Sequence, residues 1–553
     1  MRYKSWGKNI LFLLLIAGSL SALTLFLMAS DRIENPASFR PNSDQHADVV
    51  RAALKVDAAF EGQWSESELS SAERSLNLTI ARRLSLGLAG TIPSVEEIRR
   101  FEEQGTDEQI HWWVSRLVED QRTSNHLAER FARALVGVED GPFLIYRRRR
   151  FVSWFSDQIA ANLPYDVLVR NILTDEGLWT DTPSVNFYTR TILEDGEKSR
   201  PDPILLAGRT SRAFLGMRID CLQCHDDFLG TINLGSAEDL AGGTQRDFHS
   251  LAAFFVEMEN SLLGIRDQTS QGPYQYQLLD DDKTEVIEPE VPFNRNLAGD
   301  EHNLRMRLAN WVTHPENRPF ARAAVNRVWA IMAGRGLLQP VDDIPLEGPF
   351  PLAMEVLVDD FIEHGFDLHR LIRVIALSEA YQLESVADFE VTSLHESNWS
   401  VFPALRLRPG QVAGAIAQST KLATIDSTSH IITQLTKFGQ QNDFVQRFGD
   451  PGEDEFKDRG ETVTQRLLML NGSMIDERLK NLLHTPVFVA RLSPDVERAI
   501  ETIYLATLTR RPSAQEKRRF VSQISSFSGD ERVEAVLDLY WALINSAEFR
   551  WNH

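Results

Sequence analysis

The chain has 553 residues, a length that suits several domain-sized units with large cores. Hydrophobic residues at 43% and charged residues at 25% are ordinary for a folded globular protein. A formal charge of −21 argues against a nucleic-acid groove, so no nucleic acid is expected as a partner.

Arg2, Lys4 and Lys8 precede an uncharged, largely apolar run from Asn9 to Ser30, closed by Asp31, Arg32 and Glu34. About 20 apolar residues let a helix cross the hydrocarbon core. The basic flank is expected to stay cytoplasmic, which sends the rest of the chain across the membrane. Residues 1–30 are therefore read as a signal anchor: a single-pass helix in the cell inner membrane, with the body in the periplasm. A cleaved signal peptide competes, but it usually has an apolar stretch of about 7–15 residues and a small-x-small site. Phe26-Leu27-Met28-Ala29-Ser30 offers a poor site. Residues 31–50 follow as a polar tether.

From residue 51 the pattern is helical. Ser70 with Glu73 predicts a capping box opening a helix through Leu84. Thr91-Ile92-Pro93-Ser94 stops it, and further helices are predicted at 107–119, 122–136, 148–160 and 164–173. The only two cysteines then fall in Asp220-Cys221-Leu222-Gln223-Cys224-His225-Asp226. Cys-x-x-Cys-His is the attachment signature of a c-type haem, with thioethers from Cys221 and Cys224 and His225 as proximal iron ligand. A disulfide or a thioredoxin-like dithiol has the same spacing, and zinc needs four ligands, so these readings stay open.

Residues 226–239 read as loop and 247–259 as helix, with Leu251, Phe254, Phe255 and Met258 on its apolar face. His249 on that helix is the candidate distal ligand; Met217 and Met258 are read as core. The polar stretch 260–300 separates two halves and has room for a short hairpin. Helices are predicted beyond it at 301–312, 318–332, 351–363, 367–379, 409–423, 461–469, 473–483, 495–509, 513–525 and 531–546. The fold class is mainly α: two helical domains behind the N-terminal transmembrane or signal helix, with minor β in the connecting region. The divisions are 51–270, a connecting region at 271–300, and 301–553.

Several segments together resemble a planctomycete cytochrome-like domain of PSCyt type followed by its companion PSD-type domain. The first is carried by Arg82-Arg83-Leu84-Ser85-Leu86-Gly87-Leu88-Ala89-Gly90, Thr210 to Gly216 with Cys221 to Asp226, and Leu251 to Phe255. The second is carried by Asn317 to Arg322, Val325 to Trp329, Gly334-Arg335-Gly336, Pro340 to Asp343, and Leu543 to His553. The resemblance implies an extracytoplasmic bacterial protein with haem c. Relatives commonly continue the motif as Cys-His-Asp-His, whereas here Asp227 follows Asp226.

The expected function is electron transfer or a haem-dependent oxidation. The partner would be a redox protein or another extracytoplasmic protein, besides the inner membrane. The alternative is a non-redox binding or scaffold protein, linked to polysaccharide handling, in which Cys221 and Cys224 form a disulfide. Asp342 with Asp343 are the carboxylates a polysaccharide hydrolase would need. Arg147 to Arg150, the densest basic run, is read mainly as a helix start or salt-bridge patch.

Overall fold

The computed structural model describes residues 36–553 apart from 38, 41–42, 139–145, 193–199, 231, 233, 235–241, 269–271, 280–282, 427–442, 451, 453–455, 457–459, 461, 473–474 and 476–484. Among the described residues, helices of eight residues or more open with α1 (Asp44–Glu66), α2 (Asn77–Ala89), α3 (Val95–Glu102), α4 (Gln109–Glu119) and α5 (Gln121–Val136). Then follow α6 (Arg148–Ala160), α7 (Tyr165–Thr174), α8 (Pro203–Thr210) and α9 (Gln245–Ala252). The later ones are α10 (Leu304–Val312), α11 (Arg318–Ala333), α12 (Leu352–Glu363), α13 (Leu368–Leu377) and α14 (Pro409–Ser419). The last are α15 (Val463–Asn471), α16 (Thr485–Leu492), α17 (Val496–Leu508), α18 (Ala514–Ile524) and α19 (Gly529–Ile544). Minor β among the described residues consists of three antiparallel pairs: β1 (Met258–Ser261) with β2 (Gly264–Asp267), β3 (Gln275–Tyr276) with β4 (Glu285–Val286), and β5 (Leu405–Arg406) with β6 (Trp551–Asn552). The expected mainly α class with minor β therefore stands.

The membrane-anchor expectation is corrected. Among the described residues no helix is long and apolar enough to cross a membrane, and the apolar run at 9–30 lies outside them. A single-pass inner-membrane topology, with the membrane as a partner, is therefore not supported. The helix expected at 473–483 also lies outside the described residues, except Ile475. Two further corrections are local. Residues 70–76 are extended rather than helical, because Ala72 donates to Ser400, Ser75 to Gln382, and Glu73 accepts from Glu384. The helix expected over 247–259 ends at Ala252 and a 3-10 turn, after which Met258 enters β1.

Two hydrophobic clusters hold the chain together. One draws on residues 49–402; the other draws on 407–549 together with Leu86, Ile92, Val95 and Ile98. The seam between them lies after Phe402, because α11 packs on α2, α12 on α1, and α13 on α1 and α4. Helix α2 serves both clusters and is buried from Ile80 to Leu88. Its neighbouring guanidiniums diverge. Arg82 donates to the carbonyls of Thr507 (3.0 Å) and Phe549 (3.1 Å), whereas Arg83 donates to Tyr381 and Leu383 and lies 3.4 Å over the Phe402 ring. A buried guanidinium is tolerated when its N–H groups find acceptors, and here the acceptors tie α2 to both bodies. Gly87 allows backbone contact with α11: an added Cβ would sit 2.4 Å from the Met332 oxygen. Gly414 in α14 approaches the turn after α2 in the same way, with its Cβ position 2.3 Å from the Gly90 oxygen.

Candidate functional site

The cysteine motif follows α8, a π-turn at Ser211–Leu215, and a 3-10 turn at Asp220–Gln223. Leu222 is the buried anchor of that turn, its N–H donating to Ile219 (3.0 Å), while Cys224 donates to Cys221 (3.2 Å). The 3-10 geometry leaves Cys221 and Cys224 exposed, and both thiols are free. Burial, aided by the carboxylates of Asp227 and Asp220, pushes the Cys221 thiol up. That is the opposite of the activated thiolate a thioredoxin-like dithiol requires.

His225 is exposed, with Nδ1 2.7 Å from the Asp226 carbonyl oxygen. A carbonyl only accepts, so Nδ1 carries the proton and the Nε2 lone pair is left for another partner. This is the arrangement that metal-bound histidines use. Phe228 stacks on the His225 ring at 6.2 Å, and Phe228 and Leu229 are 78% and 87% exposed. Two exposed thiols, an outward imidazole nitrogen and an adjoining apolar surface fit a covalently held haem.

His249, the candidate distal ligand, is engaged elsewhere. It is buried on α9, with Nε2 3.1 Å from the Gln223 carbonyl and Nδ1 2.8 Å from the Tyr274 hydroxyl. Its ring stacks 3.6 Å from Tyr276, and burial lowers its pKa. Both nitrogens are engaged by protein partners, so His249 acts as a strut beneath the motif. Gln245 adds a second, donating from Nε2 to Gln223 (3.0 Å) and from its backbone N–H to Asp226 (2.7 Å). Met217 and Met258 are buried in the core, as read from the sequence. Among the described residues no group of three or more His, Cys, Asp or Glu side chains is arranged to hold a metal ion.

The segment leading into the motif is clamped to the second half. Ile344 donates to Gly216 (2.7 Å), and Asp342 accepts from Arg212 (2.5 Å) and Arg218 (2.8 Å). These arginines hold the Asp342 carboxyl below its ordinary value despite burial, which unsuits it as a general acid. Asn326 shapes the same loop, donating to Leu338 (3.0 Å) and Val341 (3.3 Å) and accepting from Leu338. Arg148 in the basic run donates to Glu129 through two bonds of 2.9 Å, so it belongs to a structural helix start.

Next to the clamp lies an open cavity of about 1020 Å³, walled by Arg218, Arg327, Arg335 and Asp342 and by residues from β5, β6 and 447–465. It gathers motif residues separated by hundreds of positions. Family-level comparison assigns these segments. The description PSCyt2, protein of unknown function (DUF1549), matches residues 55–260, and PSD1, protein of unknown function (DUF1553), matches 304–524. The chain carries a PSCyt2 domain followed by a PSD1 domain. No curated protein and no solved structure matches it. The cysteine turn thus lies in PSCyt2, while the cavity draws on Arg218 of PSCyt2, on PSD1, and on Arg550 to Asn552 beyond the PSD1 match. Sequence reading missed Arg406, Arg408 and Trp551. The available signal was the alternation Leu405-Arg406-Leu407-Arg408, which puts both arginines on one face of an extended segment.

Proposed function

We propose that the PSCyt2 turn from Cys221 to His225 takes haem c and that the chain works in one-electron transfer. The supporting observation is the Nδ1 bond of His225 to the Asp226 carbonyl, which presents Nε2 outward beside two exposed, free thiols. Haem c bound there supplies reversible one-electron exchange. The chain's own contribution is to hold the turn fixed through His249, Gln245 and Leu222, and to offer Phe228 and Leu229 as apolar cover.

The test is a pyridine haemochrome spectrum of the full chain made in a host with haem-maturation machinery. Haem that stays with the polypeptide on a denaturing gel, and is lost in Cys221→Ser/Cys224→Ser, is the expected result. A colourless wild-type chain whose intact mass is lower by one pair of hydrogens would instead identify a Cys221–Cys224 disulfide and overturn the redox reading.

A further inference from the structure

The chain as a whole is strongly acidic, yet among the described residues its large cavity is lined by seven arginines against three acidic side chains. Two of those acids are already engaged: Asp342 by Arg212 and Arg218, and Asp450 by Arg133. The arginines come from separate elements, with Arg335 following α11, Arg406 on β5, Arg447 before α15 and Arg550 before β6. Arg335 is half-buried and makes no ion pair among the described residues. Arg406 lies 5.3 Å over the Trp551 ring and Arg408 lies 5.6 Å over Phe456, so two guanidiniums are held against aromatic walls.

We propose that this cavity binds an organic ligand carrying at least two oxyanion groups: carboxylate, sulfate or phosphate. Three features carry the inference. The cations among the described lining residues are all arginine, whose planar fork matches oxyanions through paired hydrogen bonds. They are distributed around a space of about 1020 Å³, much larger than one inorganic ion and of the size that holds a whole organic molecule. The wall also presents Phe448, Phe456 and Trp551, which suit the uncharged body of such a ligand. The inference is independent of the haem reading, since none of the cavity arginines lies within the Cys221–His225 turn.

The experiment is calorimetric titration of the full chain with citrate, tripolyphosphate and sucrose octasulfate, with sucrose as the uncharged control. Saturable binding of at least one polyanion and none of sucrose is expected, and the preferred probe identifies the oxyanion. Arg335→Gln and Arg406→Gln should each weaken binding by about tenfold, the loss of one charge-assisted contact. Arg51→Gln, on the exposed face of α1, should leave it unchanged, and so should Cys221→Ser/Cys224→Ser. The proposal is overturned if the wild type binds none of the three probes. It is equally overturned if Arg335→Gln and Arg406→Gln bind as well as Arg51→Gln, since the contact is then general surface attraction.

Discussion

Substituting Gly87 by Ala tests the contact that joins PSCyt2 to PSD1. The added methyl would lie 2.4 Å from the Met332 oxygen and 2.8 Å from its Cα, both backbone atoms that cannot swing aside. Ordinary contact begins near 3.4 Å, so α2 and α11 must part by about 1 Å. A gap of roughly 0.5–1 Å forfeits a quarter to a half of each dispersion contact along the interface. Overpacking of this kind costs about 1–3 kcal/mol, and the better helix propensity of Ala returns up to about 1 kcal/mol. A net loss of about 1–2 kcal/mol follows. Gly62→Ala is the matched control. Gly62 is exposed on α1 with nothing within 4 Å of its Cβ position, so the same substitution should stabilise there by about 0.5–1 kcal/mol. Urea unfolding followed by tryptophan fluorescence should therefore show opposite shifts in midpoint. If Gly87→Ala unfolds at or above the wild-type midpoint, the close backbone contact between the two segments is not real.

Asp57 gives a pH-dependent expectation. It accepts the Glu379 backbone N–H at 2.6 Å and is pushed up to about 6, first by burial and then by the Glu379 and Glu61 carboxylates. A raised carboxyl contributes stability that is complete below its unfolded value of 3.8 and is lost as pH rises through about 6. Asp57→Asn, whose amide oxygen still accepts the N–H, should gain about 1 kcal/mol over wild type at pH 7.5 after solvent screening, and nothing at pH 4; thermal melts at both values check it. A fragment of residues 36–402 should elute as a soluble monomer in gel filtration more readily than 36–300, because the latter lacks α10 to α13 from its own core. A well-behaved, cooperatively melting 36–300 would contradict the seam placed after Phe402. His249→Phe should keep the haemochrome signal while lowering the thermal midpoint, since its two hydrogen bonds support the turn from beneath; an unchanged midpoint would contradict that supporting role.

Helices were legible wherever the apolar period and the ends agreed. Pro319 and Gly334 bracket α11, and Ser513 with Glu516 caps α18 through the reciprocal bonds that their spacing suggests. The same spacing misled at Ser70 and Glu73. There the backbone N–H groups are taken by residues 300 positions away, and pairing at that range leaves no local trace. The cysteine turn was readable as chemistry, because its residues are adjacent. The role of His249 was not, because its partners, Gln223 and Tyr274, lie on other segments. The cavity was the least legible feature. Its arginines run from Arg218 to Arg550, and only Leu405 to Arg408 carries a period that groups two of them.

The position of α2 has a consequence for how the chain is made. Its residues leave the ribosome early, but the first cluster that covers them is incomplete until Phe402 has been added. At about 5–20 residues per second, that interval is roughly 15–60 s. During it α2 can pack on α4 and α5, but the face that meets α11 has no native partner, and Leu86 waits longer still for the second cluster. The chain therefore spends much of its synthesis with a sticky, half-covered helix, which makes this helix the place where a chaperone would be needed most and where aggregation would start without one.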